Sequence, residues 1–209
     1  MELILRQEDH TYWLDGRLIP GVTRIISPLT DFSRVDPDVL ERARQEGVHV
    51  HKMVELDCMG DLDVSTLPEW MTGHYQALQK FQADTGFQVV SSEQKLYSQK
   101  FDFAGTPDII GDVPKLPKVK GIALIDVKRS LYAGPAIGIQ TAAYLEAWNE
   151  QAPKSLRVPK QNRFALQLRP DGQYRLTPFA DPGDFAMFLA CLTQLRWKEK
   201  HYGTSNGNG

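Results

Sequence analysis

The residues best suited to chemistry fall in two apolar runs near the middle of the chain. Gly105-Thr106-Pro107-Asp108-Ile109-Ile110 places a carboxylate at the head of one run. Ile122-Ala123-Leu124-Ile125-Asp126-Val127-Lys128 closes the other with an aspartate and a lysine two residues apart. Side chains two apart on a strand share a face. Asp126 and Lys128 therefore point the same way off a buried strand, where a charge must be matched or used. If the two strands are neighbours, Asp108 brings a second carboxylate beside the first. Two such groups repel each other, and a hard divalent cation, Mg²⁺ or Mn²⁺, resolves the repulsion. One or two such ions would make a water a better nucleophile and offset charge on a phosphate. Lys128 would then position that water or stabilise the developing negative charge. The chemistry that needs this set is metal-assisted phosphodiester hydrolysis. Two plainer readings stand beside it. Asp126 and Lys128 could form an ordinary ion pair at a strand end, or the carboxylates could serve a glycosidase. The second leaves Lys128 without a task.

The elements that must position these groups are legible from pattern. Leu3 to Ile26 reads as one or two hairpins around the turn Leu14-Asp15-Gly16-Arg17. Pro37 to Met59 reads as a helix with Asp36 as N-cap and an apolar stripe of Val39, Ala43, Val50 and Val54. A second helix spans Pro68 to Thr85 and ends at Gly86. Strands follow over Phe87–Tyr97, Phe101–Val113 and Gly121–Arg129, with PKLPKVKG as a basic loop between the last two. Gly138–Asn149 is helical, Arg163–Arg169 and Gln173–Phe179 form a hairpin, and Asp184–Lys200 is a final helix. The tail from 203 to 209 is low in complexity and is expected to be disordered. This order describes one α/β domain over residues 1–202, built on a mixed sheet flanked by helices.

Composition bounds the partners. The chain has 209 residues and a formal charge of -2, which argues against a uniformly basic nucleic-acid binder. The charge is uneven: residues 1–92 sum to -7, residues 93–169 to +5 and the remainder to zero. An anionic partner would be drawn to the middle segment, where Lys115, Lys118, Lys120, Arg129, Lys154, Arg157, Lys160 and Arg163 lie. Tyr97, Phe101, Phe103 and Tyr132 are candidates for stacking on unpaired bases, or for the core. Two cysteines cannot supply a disulfide framework or a four-thiolate metal site, so a reducing cytoplasmic setting is expected. No apolar run approaches the roughly 18 residues of a membrane span, and no signal peptide is visible at the N-terminus.

Gly105-Thr106-Pro107-Asp108 followed by Asp126-Val127-Lys128 resembles the PD-(D/E)XK nuclease superfamily, more narrowly its RecB-like exonuclease branch. Gly47-Val48-His49-Val50-His51 fits that branch's upstream Gly-x-x-x-His element, Glu93 its glutamate before the first aspartate, and Gln140 to Tyr144 its Gln-x-x-x-Tyr helix. The elements occur in the expected order over residues 47–144. The chain is similar in size to stand-alone phage, CRISPR-associated and mitochondrial RecB-like exonucleases. The resemblance implies a restriction-endonuclease-like core, and catalytic roles for Glu93, Asp108, Asp126 and Lys128. It implies a metal held by His51, Asp108, Asp126 and the Val127 carbonyl, with His49 the competing histidine. It implies contact of Gln140 and Tyr144 with the active-site loop or the DNA backbone, with the core the other reading for Tyr144, and the surrounding Arg129, Lys118 and Lys120 would touch the backbone. With two cysteines, the iron–sulfur cluster of the CRISPR-associated type is not expected. The implied function is a metal-dependent deoxyribonuclease, most naturally an exonuclease, in recombination, repair or DNA processing. The setting would be a bacterial or phage-infected cell, with a recombination or single-strand-binding protein as a fitting partner. The rival is a nuclease-fold DNA-binding or assembly protein that does not cleave.

Overall fold

The computed structural model describes residues 2–203 except Gln7, Phe32, Arg34 and residues 130–133. Tyr132 and the tail from 204 onward lie outside the described residues. The chain opens with an antiparallel sheet of β1 (Leu3–Arg6), β2 (Thr11–Leu14) and β3 (Arg17–Ile19). Asp15 and Gly16 join β2 to β3 with φ of 47° and 83°, the doubly left-handed turn that an Asp-Gly pair favours. The expected hairpin does not extend to Ile26. Val22–Ile26 forms a short helix, α1, because its buried residues Val22, Ile25 and Ile26 recur at helical spacing.

Helix α2 runs from Pro37 to Met59. The Asp36 carboxylate accepts from the N–H groups of Asp38 and Val39, and Gly60 closes the helix at a φ of 76°. Its expected apolar stripe is only half right. Val50, Met53 and Val54 are buried, but Val39 is 58% exposed. Helix α3 (Thr72–Thr85) begins later than Pro68, because Glu69–Met71 forms a separate 3₁₀ turn.

The expected strands Phe87–Tyr97 and Phe101–Val113 each break in two. The first becomes β4 (Gln88–Ser92) and β5 (Leu96–Ser98), the second β6 (Phe103–Gly105) and β7 (Ile109–Asp112). The first break falls at Glu93, which holds a left-handed φ of 49°. The second includes Pro107, which has no N–H for a sheet ladder. Strand β8 (Ile122–Lys128), helix α4 (Ala136–Gln151), strands β9 (Arg163–Leu168) and β10 (Tyr174–Pro178), and helix α5 (Asp184–Tyr202) complete the chain.

The main sheet is mixed, in the order β10-β9-β8-β7-β4. Strands β8 and β9 are parallel, and the other pairs are antiparallel. Ile122 and Leu124 of β8 pack with α1, α4 and α5 on one face. Ala123, Ile125 and Val127 pack with α2 and α3 on the other. Each large apolar side chain buried here contributes about 1.5–3 kcal/mol, so the register of β8 is firmly set. Asp126 shares parity with Ile122 and Leu124 and is carried onto the α4 face. The end of the sheet where β8 stops and β7 starts is called the upper end below. The opposite end carries the connection of residues 113–121. Among the described residues, no helix is long and apolar enough to cross a membrane.

Candidate active site

Asp108 immediately precedes β7, and the pairing of Ile109 with Ile125 sets it across from Asp126 at the upper end. Asp108 Oδ2 accepts the Val127 N–H at 2.5 Å, while its Oδ1 lies 3.0 Å from His51 Nδ1. A strand residue turns its N–H and C=O to the same side. The Val127 carbonyl is therefore aimed past the start of β7, toward Asp108, while its side chain is in the core. Asp126 is only 2% exposed. Its Oδ2 lies 2.8 Å from Lys128 Nζ, an ion-pair contact, and finds no further partner among the described residues. A buried carboxylate oxygen in that state is costly unless another group takes its lone pairs.

Glu93 approaches from the end of β4. Its N–H donates to the Asp108 carbonyl at 2.9 Å, and its left-handed backbone turns the side chain out of the sheet ladder. The sequence expectation of a strand position is thus corrected. Non-glycine residues held in that conformation cluster where a site requires them. Ligand atoms of His51, Glu93 and Asp108 all lie within 4.8 Å of one another. This trio differs from the expected metal set in that Glu93 joins it and Asp126 stands beside Lys128.

The electrostatics are those of a crowded anionic site. Burial, reinforced by the charge of Asp108, pushes the Glu93 carboxyl up to about 8. Burial also raises Asp126, with Lys128 pulling against it. Asp108 is held below the usual carboxylate range: burial opposes its ionisation, but His51 beside it wins. For His51 burial disfavours the imidazolium, and Asp108 more than offsets that, so its pKa rises. Lys128 follows the same pattern through Asp126 and stays an ammonium. One cation between the carboxylates would relieve the repulsion that adds to burial in raising Glu93. Oxygen donors with one imidazole suit Mn²⁺ or Mg²⁺. The close trio, and Asp126 Oδ2 with only the Lys128 ammonium beside it among the described residues, both fit that occupant.

These groups open into a cleft of about 800 Å³. Gln140 and Tyr144 of α4 line it together with Gly47 and His51 of α2. Gln140 Nε2 donates to the Tyr144 hydroxyl at 3.0 Å. Tyr144 lies against Gly105, where an added Cβ would sit 2.5 Å from the ring. His49 turns away: its Nδ1 is 2.7 Å from the Gln45 carbonyl, and its ring meets Trp70.

Several expected residues are not brought to the cleft. Arg129 pairs with Glu46 of α2 at 3.0 Å. Lys118 and Lys120 sit in the β7–β8 connection, at the opposite end of the sheet. Arg163 is buried at the start of β9, where Asp184 and the carbonyls of Gly138 and Asp181 hold its guanidinium. Phe103 is core, Phe101 packs edge-on to Phe185, and Tyr97 donates its hydroxyl to Asp102. For these aromatics the core reading, the alternative to base stacking, holds at Phe103, and β5 and β6 carry Tyr97 and Phe103 in a separate two-stranded sheet.

Other cleft residues were missed. Arg44, Lys52 and Glu55 of α2 line the cleft; Arg44, seven residues before His51, and Glu55, four after it, stand at helical spacing that periodicity alone could have given, whereas Lys52 is its immediate neighbour. Tyr12 also lines it, with its hydroxyl 2.8 Å from Thr106 Oγ1. No local signal marks Tyr12, because β2 reaches the site only through tertiary packing. No protein-family model and no curated protein matches this chain.

Proposed function

We propose that this protein is a divalent-metal-dependent deoxyribonuclease with a restriction-endonuclease-like core of RecB-like type, acting on DNA ends as an exonuclease. The observation that carries the reading is the juxtaposition of Asp108 and Asp126 across the β7–β8 pair, with Lys128 and His51 each in contact with one of them. His51, Glu93, Asp108, Asp126 and the Val127 carbonyl would hold Mg²⁺ or Mn²⁺. The ion would supply Lewis-acid polarisation and a lowered pKa for water.

The chain's own groups do the rest. The Val127 N–H fixes Asp108 Oδ2 and so orients the carboxylate, while Oδ1 and His51, in contact with each other, face the space an ion would take. Lys128 stays protonated beside Asp126, so it acts as a positive donor to the water or to the developing phosphorane charge, rather than as a base. Gln140 offers a polar contact along the cleft wall, and Tyr144, buried in the core at 5% exposure, holds it there through its hydroxyl. A cleft of about 800 Å³ admits a short stretch of strand, which suits an end held in extended form. Recombination, repair or DNA processing would use such an activity.

The test is cleavage of end-labelled single-stranded DNA, duplex DNA and closed circles, with Mg²⁺, Mn²⁺ or EDTA, by wild type and Asp126→Ala. Metal-dependent shortening of linear substrates, abolished in the variant, is the expected result. Cleavage indifferent to Asp126→Ala would refute the site. Cutting of closed circles would replace the exonuclease with an endonuclease. Tight DNA binding with no cleavage under any metal would favour a nuclease fold kept for binding or assembly.

A further inference from the structure

The end of the sheet opposite the cleft carries an unexplained charge pattern. Residues 114–121 hold Lys115, Lys118 and Lys120 and no carboxylate. Residues 152–162 hold Lys154, Arg157 and Lys160 and likewise no carboxylate. All six cations are exposed. The two loops are tied together. Asn162 Nδ2 donates to the carbonyls of Lys120 at 2.9 Å and Ile122 at 3.1 Å, and the Leu124 N–H donates to the Asn162 carbonyl at 2.9 Å.

The second loop is also bolted to α4. Asn149 exchanges two hydrogen bonds with the backbone of Val158, and Trp148 Nε1 donates to the Leu156 carbonyl. Pro114, Pro117, Pro153 and Pro159 restrict both backbones further. Neighbouring carboxylates are held in local contacts. Asp112 accepts the Val113 N–H, Asp181 the Gly183 N–H, and Asp184 pairs with buried Arg163. Glu146 and Asp181 line one small cavity of about 160 Å³ with Lys160. The result is a rigid cationic surface about 20 Å from Asp126, the length of six residues along β8.

We infer that this lower surface is a second nucleic-acid contact, a phosphate-backbone tether separate from the cleft. It takes duplex DNA without regard to sequence, because exposed lysines read charge rather than base edges. The choice of nucleic acid as partner rests on the nuclease reading, but the surface itself does not. A tether at this distance would keep substrate near the cleft between cuts and add affinity without adding catalysis.

The experiment uses the full chain in EDTA, so that binding is measured without cutting. A labelled duplex is titrated at several salt concentrations with wild type and with Lys118→Gln, Lys120→Gln, Lys160→Gln combined. The dissociation constant is expected to rise about tenfold or more, and the slope of log affinity against log salt to fall by about 2–3, near 0.9 per lost contact. The corresponding triple Lys→Arg variant should keep both values near wild type. Mn²⁺-dependent cleavage of a short single-stranded oligonucleotide, too small to span both surfaces, should be unchanged in the Gln variant. Unaltered affinity and slope would overturn the inference while leaving the nuclease reading intact. Loss of duplex binding in a protein that cleaves nothing would do the reverse. Wild-type binding of polyglutamate as tightly as duplex would assign the surface to an acidic protein partner and also overturn the inference.

Discussion

The upper and lower ends of the five-stranded sheet are built on opposite plans. At the upper end, charges are buried and partnered: Asp108 with His51 and Val127, Asp126 with Lys128. At the lower end, six cations stand exposed on two proline-stiffened loops. Buried charges need defined partners, because leaving one alone is expensive. Exposed charges need only proximity, and salt screens them. The net charge of -2 hides this division, and so does the excess of cations in the middle of the sequence. The difference teaches where a substitution should change chemistry and where it should change only affinity.

The sharpest way to break the comparison is to remove single charges at the upper end. Asp126→Asn keeps the shape and relieves the burial penalty on the carboxylate, but it takes the anion from the Lys128 ammonium, which is 25% exposed, so the stability loss should be small. Metal-dependent cleavage should nevertheless fall by at least about 10³-fold, since charge placed for the transition state is lost. Lys128→Ala should behave differently. It leaves Asp126 buried without its cation and should cost about 3 kcal/mol or more in addition to activity. Paired thermal melts and cleavage rates distinguish the two. Equal stability loss in both variants would show that Asp126 and Lys128 form only a structural ion pair.

A pH titration of the metal-free protein tests the same end with a smaller effect. Glu93 has a folded pKa of about 8, far above its ordinary 4.5, and His51 is also raised. The stability owed to a protonated Glu93 is complete below 4.5 and is lost as pH rises through 8. That owed to the His51 imidazolium is complete below 6.5 and is lost as pH rises through its folded pKa. Asp108 is depressed, so its contribution is lost only in acid. The metal-free melting temperature should therefore decline from pH 6 to pH 9. Glu93→Gln should flatten the decline. Added Mn²⁺ should raise the melting temperature more at pH 8.5 than at pH 6, because it binds the ionised groups. A Mn²⁺ shift independent of pH would exclude Glu93 and His51 from the ligand set.

Much of this upper end was legible in the sequence. The apolar run of β8 with its terminal Asp-x-Lys fixed a face by strand period alone, and the Asp36 and Pro37 start of α2 followed from capping chemistry. His51 and Glu93 were reachable only through resemblance, since neither a lone helical histidine nor a lone glutamate announces a site. What was not legible depends on contacts distant in sequence. The short run Val22–Ile26 gave too little length to separate helix from hairpin, and the fold made it a helix by burying three of its residues. Lys118 and Lys120 were read as cleft neighbours because they lie between the two motifs. A β7–β8 hairpin, however, carries its connection at the end away from both Asp108 and Asp126.

Packing behind the cleft should be less forgiving than the lower loops. Gly105→Ala puts a methyl group 2.5 Å from the Tyr144 ring and 2.9 Å from Val22 Cγ2. Overpacking of this kind costs about 1–3 kcal/mol, and displacing Tyr144 also disturbs Gln140. Lys118→Ala on the exposed loop should stay within about 0.5 kcal/mol of wild type. Chemical denaturation of both variants checks the contrast. A cost at Lys118 matching that at Gly105 would mean that the lower loops are structural rather than a free surface.

The smallest expected effect lies at Gly47, where stability and activity should move in opposite directions. This residue sits inside α2, one turn before His51, and lines the cleft. A Cβ built there meets no atom of the described residues within 4 Å, so their packing does not demand glycine. Glycine in a helix interior costs about 0.5–1 kcal/mol relative to alanine. Gly47→Ala should therefore raise the melting temperature slightly. The same methyl group projects into the space proposed for the DNA strand and should lower kcat/KM a few-fold, mainly through KM, while Lys118→Ala leaves short-substrate kinetics unchanged. A lower melting temperature would mean that the bare backbone at Gly47 is needed for folding. An unchanged kcat/KM would place the strand's path along the α4 wall, by Gln140 and Tyr144, rather than against α2.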